Sequence, residues 1–457
     1  MIKIKNFFYA YPMSKSPALK DINLTINKGD LVLITGPSGS GKSTLAYCMN
    51  GLIPHIFGGS LRGDIRVSGI EPGTLPLSEM AKNAGTVFQN PEYQIFMPTV
   101  KEDIEFGCHN MGFHGEDIIS NTIRASSDLG LDGLLDRETG ELSAGEKQRL
   151  AIAGIYAVGP EIIIFDEPST NLDGHGKNSL REIIKKLKDK SYTIILIGHD
   201  ADIFEDLATR RYFMEDGSLK NIPATADKFP QDKIAYDYHT EQSTIVEARD
   251  ISYGYGKSGL FDGLTMTIKK QEVVAFVGDN GSGKTTFFKL LMGILKPEKG
   301  SISIKGKNIR SINDSAGTAG FLLQNPDEQL FAPTVKEEIL LGPEQLHISC
   351  EYEDIMSRFD LKKYENSNPH SLSKGERQKV AFASIAASRP EVIILDEPTT
   401  GLDEKSWMNL MDFTHSLVND GTTILFSTHN MKAANRYAQR IITFDRGRII
   451  SDEISKN

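Results

Sequence analysis

The sequence predicts an α/β protein of two tandem domains, each organised on a mostly parallel sheet. Three observations carry this. The segment Gly36-Pro37-Ser38-Gly39-Ser40-Gly41-Lys42-Ser43-Thr44 follows the apolar run Leu31-Val32-Leu33-Ile34 and opens a helix-like stretch, Leu45-Ala46-Tyr47-Cys48-Met49. The same arrangement returns as Gly278-Asp279-Asn280-Gly281-Ser282-Gly283-Lys284-Thr285-Thr286, after Val273-Val274-Ala275-Phe276-Val277. Each copy also carries an apolar run without alternation, Ile162–Phe165 and Val392–Leu395, which suits a strand buried on both faces of a parallel sheet.

Strand, glycine turn and helix form the context in which backbone N–H groups close around a phosphate. The helix N-terminus adds partial positive charge. In this motif Lys42 and Lys284 reach the β- and γ-phosphates, and the Ser43 and Thr285 hydroxyls sit on Mg²⁺.

The 457 residues divide into a first domain over 1–222, a linker over 223–243 and a second domain over 244–457. A net charge of −10 argues against a broad nucleic-acid footprint, so no nucleic-acid partner is expected. Cys48, Cys108 and Cys350 show no C-x-x-C spacing, so neither a zinc site nor a disulfide framework is indicated. Met1-Ile2-Lys3-Ile4-Lys5 has no signal-peptide character. No run approaches the ~18 apolar residues that span a bilayer, so a role at a membrane is that of a peripheral subunit.

In chain order, Ile22–Ile26 and Leu264–Ile268 alternate as strands. Tyr11 and Tyr255 precede the loop lysines by 31 and 29 residues; each either stacks on a base or belongs to a sheet edge. Val87-Phe88-Gln89-Asn90-Pro91-Glu92-Tyr93-Gln94-Ile95-Phe96 is matched by Leu322-Leu323-Gln324-Asn325-Pro326-Asp327-Glu328-Gln329-Leu330-Phe331. The Asn-Pro break leaves Gln89 and Gln324 at a strand's C-terminal end, where ligands sit in doubly wound sheets. Residues 103–141 and 338–371 read as mostly helical.

Leu142-Ser143-Ala144-Gly145-Glu146 and Leu372-Ser373-Lys374-Gly375-Glu376 fit a capping box, and also an anion site at a helix start. The pairs Asp166-Glu167 and Asp396-Glu397 end the buried runs 23 residues after those serines, where a metal and an attacking water need carboxylates. Asp173 and Asp403 follow in Leu-Asp turns. His199 and His429 each end a further buried run 32 residues after the acidic pair, at the edge that faces the phosphates. The pattern breaks over roughly 216–244, where Glu215-Asp216-Gly217, Pro223, Pro230 and many polar residues read as linker, and Ser451–Asn457 reads as a polar tail.

Two complete copies of phosphate loop, Gln loop, Leu-Ser-x-Gly-Glu signature, acidic pair, Leu-Asp turn and histidine resemble the ATP-binding cassette ATPases over nearly the whole chain. The turn Gln-Asn-Pro-(Glu/Asp)-x-Gln-(Ile/Leu)-Phe resembles the ATPases of energy-coupling-factor transporters, which import vitamins or metal ions in prokaryotes. The resemblance implies that each domain adds a small antiparallel β part and a helical subdomain to its sheet. It implies ATP and Mg²⁺ as cofactors, and two halves packed head to tail as an intramolecular pseudo-dimer.

Each ATP would then lie on one half's phosphate loop and face the other half's Ser143 and Gly145, or Ser373 and Gly375. Asp166, Asp396, Gln89 and Gln324 would join Ser43 and Thr285 around Mg²⁺. Glu167 and Glu397 would act as general bases, and His199 and His429 would contact the γ-phosphate. Asp173 and Asp403 would lie near the partner's phosphate loop, and Tyr11 and Tyr255 against the base. The partners implied are integral membrane subunits, a scaffold and a substrate-capture component, with this chain peripheral on the cytoplasmic face. Ala144 and Lys374 depart from the usual signature glycine and make the two sites unequal. Both sites keep their glutamate and histidine, so both are expected to hydrolyse ATP. The alternatives are a soluble tandem ATPase acting on ribosomes or nucleic acid, the ATPase of a sugar importer, and an ATP-gated scaffold.

Overall fold

The computed structural model describes residues 1–14, 16–170, 172–198, 203–222, 243–256, 258–399, 402 and 404–454, with only the backbone of 258, 374, 404 and 405. The expected linker therefore falls almost wholly outside the described residues, as do His199 and Asp403. The chain divides into two compact units, Met1–Lys228 and Phe229–Asn457.

In the first unit a six-stranded sheet runs in the order Ala84–Val87, Ile162–Asp166, Thr193–Ile197, Leu31–Thr35, Arg210–Glu215, Ser218–Asn221. All pairings are parallel except the last, an antiparallel hairpin. The second unit repeats the order with Ala319–Leu322, Val392–Leu395, Thr423–Thr428, Val273–Val277, Arg440–Asp445 and Arg448–Ile454. The unalternated apolar runs are explained by burial on both faces. Ile163 and Phe165 pack with Val100, Ile104 and Leu150 of the helices, while Ile162 and Ile164 pack with Ile2, Ile4 and Leu45 on the other side.

That other side is closed by an antiparallel sheet of Leu19–Ile26, Ile2–Ala10 and Ser60–Val67, repeated in the second unit around Thr244–Tyr255. The helical part comprises Val100–Asn110, Glu116–Leu129 and Ala144–Val158, matched by Val335–Leu346, Tyr352–Arg358 and Lys374–Ala387. Its longest helix lies tight on the sheet. A Cβ on Gly85 would come within 2.4 Å of Ile155, and one on Gly320 within 2.3 Å of Ile385.

Two readings of the sequence are corrected. Asp216-Gly217 does not open a linker but turns the hairpin into strand Ser218–Asn221, with the Gly217 N–H bonded to the Ser40 carbonyl. The polar tail is strand as far as Ile454. It pairs antiparallel with Arg440–Asp445, and Arg440 grips Asp452 through two 2.6 Å contacts. Backbone pairing and a forked ion pair hold it, so its polar composition hid it. Among the described residues no helix is long and apolar enough to cross a membrane.

Candidate functional site

Each phosphate loop leaves the middle of its sheet and runs directly into a helix, Lys42–Asn50 or Lys284–Leu291. The first glycine of each loop has φ near +147°, and no side chain fits there. A Cβ on Gly36 would lie 2.0 Å from the Met214 carbonyl oxygen, and one on Gly278 2.3 Å from that of Phe444. The neighbouring strand thus fixes where the loop begins.

The Lys42 ammonium is buried and donates to the carbonyls of Gly36 and Pro37, both at 2.8 Å. Lys284 does the same to Gly278 at 2.7 Å and Asp279 at 3.0 Å. Each cation is held across the mouth of its own loop. Ser40 Oγ is buried there with no hydrogen-bond partner among the described residues, as expected of a cradle built for another group.

At the adjacent strand end, Ser43 Oγ donates to Asp166 Oδ1 and Thr285 Oγ1 to Asp396 Oδ1, both at 3.0 Å. Burial pushes the Asp166 carboxyl up to about 6; the Ser43 bond opposes the rise and the charge of Glu167 adds to it. Burial raises Asp396 as well, against the hydrogen bonds from Ser427 and Thr285. A hydroxyl and a carboxylate oxygen are the donors a hard divalent cation takes, and its charge would offset the penalty that burial puts on the carboxylate. Phosphate oxygens and water would complete its shell.

The acidic-pair glutamates sit in the left-handed backbone region, φ 50° for Glu167 and 48° for Glu397. Such a conformation costs about 1–3 kcal/mol and persists where surrounding contacts impose it. The Glu167 N–H is held by the Ile197 carbonyl at 2.7 Å and that of Glu397 by Ser427 Oγ at 2.8 Å. In the first unit Gln89 Nε2 donates to Glu167 Oε2 at 3.1 Å. In the second, Glu397 Oε2 lies 2.9 Å from His429 Nδ1 and Oε1 lies 4.0 Å from the Lys284 ammonium. Burial opposes the Glu397 charge, yet His429 and Lys284 outweigh it and hold the carboxyl below its ordinary range.

Tyr255, Asn280, Gly281, Gly283, Lys284, Thr285, Thr286, Gln324 and Glu397 line one pocket of about 320 Å³. The tyrosine hydroxyls are tied to the loops: Tyr11 to Thr44 Oγ1 at 3.0 Å and Tyr255 to Thr286 Oγ1 at 3.3 Å. Ser143 and Ser373 cap the helices Ala144–Val158 and Lys374–Ala387 through capping boxes with Glu146 and Glu376. A Cβ on Gly145 would meet nothing within 4 Å, so this helix start presents open backbone. Asp173 caps helix Gly174–Asp189, accepting from the Gly176 N–H at 2.8 Å.

Sequence reasoning gave no role to several residues that build the Gln-bearing turn. Gln94 accepts from the Phe88 N–H and donates to the Thr86 carbonyl, both at 2.8 Å; Gln329 repeats this with Leu323 and Phe321. Asp103 accepts from the N–H groups of Phe96 and Met97, and Glu338 from those of Phe331 and Ala332. The recurrence of the second glutamine in both copies was the available signal. The turn so fixed presents Tyr93, Phe96 and Phe331 at 76%, 67% and 77% exposure.

The model of the family described as ABC transporter matches residues 19–170 and 261–400. A provisionally named ABC transporter ATP-binding protein of Methanosarcina mazei is 35% identical, over 99% of this chain and 95% of its own. Another, from Caldanaerobacter subterraneus, is 36% identical over 98% of this chain and 90% of its own. Among solved structures, a chain of the ribosome-bound archaeal Pelota and ABCE1 model matches with a TM-score of 0.72, over 98% of this chain and 79% of that one. At 21% identity this is a likeness of fold alone. With similarity spread over nearly the full length and the family model matched in both units, the chain belongs to the ABC transporter family and is an ATPase that binds ATP with Mg²⁺.

Proposed function

We propose that this ATPase is the energy-coupling subunit of a membrane importer for vitamins or metal ions, of the energy-coupling-factor type. The observation that carries the reading is the Gln-bearing turn. A segment that bonds to the acidic-pair glutamate through Gln89 also offers exposed Tyr93 and Phe96 to a partner. Large exposed apolar groups on a rigid frame mark interaction sites. The relatives' shared name, ABC transporter ATP-binding protein, agrees with a transport role.

In this reading Lys42 and Lys284 exchange their loop carbonyls for the β- and γ-phosphates. Ser43 with Asp166, and Thr285 with Asp396, would hold Mg²⁺, which would supply positive charge against the phosphates. Glu167 and Glu397 accept a proton from the attacking water. Gln89, which bonds to Glu167, and Gln324 would join the Mg²⁺ shell, and His429 orients Glu397. Ser143 with Gly145, and Ser373 with Gly375, are the signature residues, and loss of the γ-phosphate on hydrolysis is the switch. His199, Asp173 and Asp403 take the roles that the family resemblance assigns them.

The test is affinity capture of the tagged Glu167→Gln, Glu397→Gln protein from gently solubilised native cells. Recovery of a small multi-span membrane protein with a second integral protein is the expected result. Recovery of ribosomal proteins or nucleic acid without a membrane protein overturns the importer reading.

A further inference from the structure

The two base-binding corners differ. From the loop lysine to the strand residue that pairs with the edge of the central antiparallel strand, the first unit uses 25 positions, Lys42 to Val67. The second uses 20, Lys284 to Ile304. The longer connection carries Ile56 and Phe57, and the shorter one, residues 292–298, has no aromatic residue.

The extra segment is pressed onto the strand that ends at the base tyrosine. Tyr9 Oη donates to the Gly58 carbonyl at 3.0 Å. A Cβ on Gly59 would lie 2.5 Å from the Ala10 carbonyl oxygen. This anchoring sets Phe57 flat against Tyr47, with centroids 5.3 Å apart and planes at 9°. It also sets Phe57 perpendicular to Tyr11, at 6.4 Å and 88°. Behind Tyr11 stands Tyr9 at 4.9 Å, and Tyr253 stands likewise behind Tyr255 at 5.2 Å. Among the described residues, the first corner thus carries a Phe57–Tyr47 pair that has no counterpart in the second. Tyr255 is 56% exposed beside its pocket, whereas Tyr11 is half-buried with a 40% exposed Phe57 at its flank.

We propose that Phe57 is a second nucleobase contact, present in the first site and not in the second, that makes the first site bind purine nucleoside triphosphates more tightly. The inference rests on the reading of Tyr11 as the ring on which the base stacks. Two rings at a right angle form a corner. A purine lying flat on Tyr11 meets Phe57 with its edge, and Tyr47 keeps Phe57 from turning away. Aromatic contact of this kind favours the flat base and leaves the phosphate contacts unchanged.

The test uses the full chain in a Glu167→Gln, Lys284→Ala background, which stops hydrolysis at the first site and silences the second. Calorimetry then compares ATP with inorganic tripolyphosphate. Phe57→Ala weakens ATP binding about 5- to 10-fold, at the low end of base–aromatic contacts, and leaves tripolyphosphate binding unchanged. Phe57→Leu, which keeps the bulk, weakens ATP as well, and Phe57→Tyr restores it. An unchanged ATP affinity, or equal weakening of both ligands, overturns the proposal. Tyr11→Ala in the same background separates the two ideas. If it weakens ATP while Phe57→Ala does not, only the Phe57 contact fails. If it leaves ATP unaffected, the stacking role of Tyr11 fails. In a Lys42→Ala, Glu397→Gln background, which reports the second site, Phe57→Ala has no effect.

Discussion

Ser427 distinguishes the two acidic pairs most sharply. Fully buried, it donates to Asp396 Oδ1 at 2.6 Å and accepts from the Glu397 N–H at 2.8 Å. Two positions before the histidine in the first copy stands Ile197, which offers only its backbone carbonyl. Removing a buried hydrogen bond to a charged group costs about 1.5–3 kcal/mol. In a Glu167→Gln background, Ser427→Ala is therefore expected to destabilise the second unit by that order and to lower ATP turnover with little change in KM. Ser427→Thr, which keeps the hydroxyl, is expected to recover both. No spacing rule pointed to this serine, because its two partners come from the neighbouring strand. His415 sets a pH dependence of the same unit. Burial pushes its imidazole down to about 4, with a hydrogen bond to the Tyr437 backbone opposing the fall. An unfolded histidine titrates near pH 6.5, so the unfolded chain binds the proton first as pH falls. The stability contributed is complete above pH 6.5 and is lost as pH falls from 6.5 towards 4, reaching about 2 kcal/mol at pH 5. Denaturant titrations at pH 7.5 and 5 are expected to show this loss in the parent and its absence in His415→Phe.

The Gln-bearing turn is tied to the signature helix by an ion pair in both units: Lys147 to Glu92 at 2.5 Å and Arg377 to Asp327 at 2.6 Å. Both residues differ between the copies, yet the charge polarity is the same. With Glu92 60% exposed the pair contributes about 0–1 kcal/mol, so its value lies in register rather than in stability. Glu92→Lys is expected to leave unfolding within about 1 kcal/mol of the parent and to slow ATP hydrolysis by no more than about 5-fold. The reversed double variant Glu92→Lys, Lys147→Glu is expected to recover the rate; failure to recover would show that the turn and the helix act independently. This turn was visible in the sequence as a repeated string, but its construction was not. Gln94 and Asp103 bond to backbone groups, whose positions depend on the folded turn. The closing strand at Arg448–Ile454 escaped for a related reason. Backbone pairing holds it, and only Ile449 packs against the core while Ile450 and Ile454 remain exposed, so it has no continuous apolar face to betray it.

The twofold repeat was the most legible property of the chain. Each phosphate loop, acidic pair and apolar run has a local physical requirement, a tight glycine turn or a strand buried on both faces, that composition displays directly. The meeting of Ser43 with Asp166 and of Glu397 with His429 needed the fold, since 123 and 32 residues separate the partners. Two intact acidic pairs imply two hydrolysing sites. Steady-state ATP hydrolysis by the full chain tests this most directly, comparing Glu167→Gln, Glu397→Gln and the double variant with the parent. Removal of a general base costs about 10²- to 10⁴-fold at its site. Each single change is thus expected to remove a substantial share of the turnover, the two shares together accounting for about all of it or more, and the double change to leave about 1% or less. A single variant with the parent's turnover would make that site non-catalytic, and a double variant that still hydrolyses at an appreciable rate would show that these glutamates are not the bases.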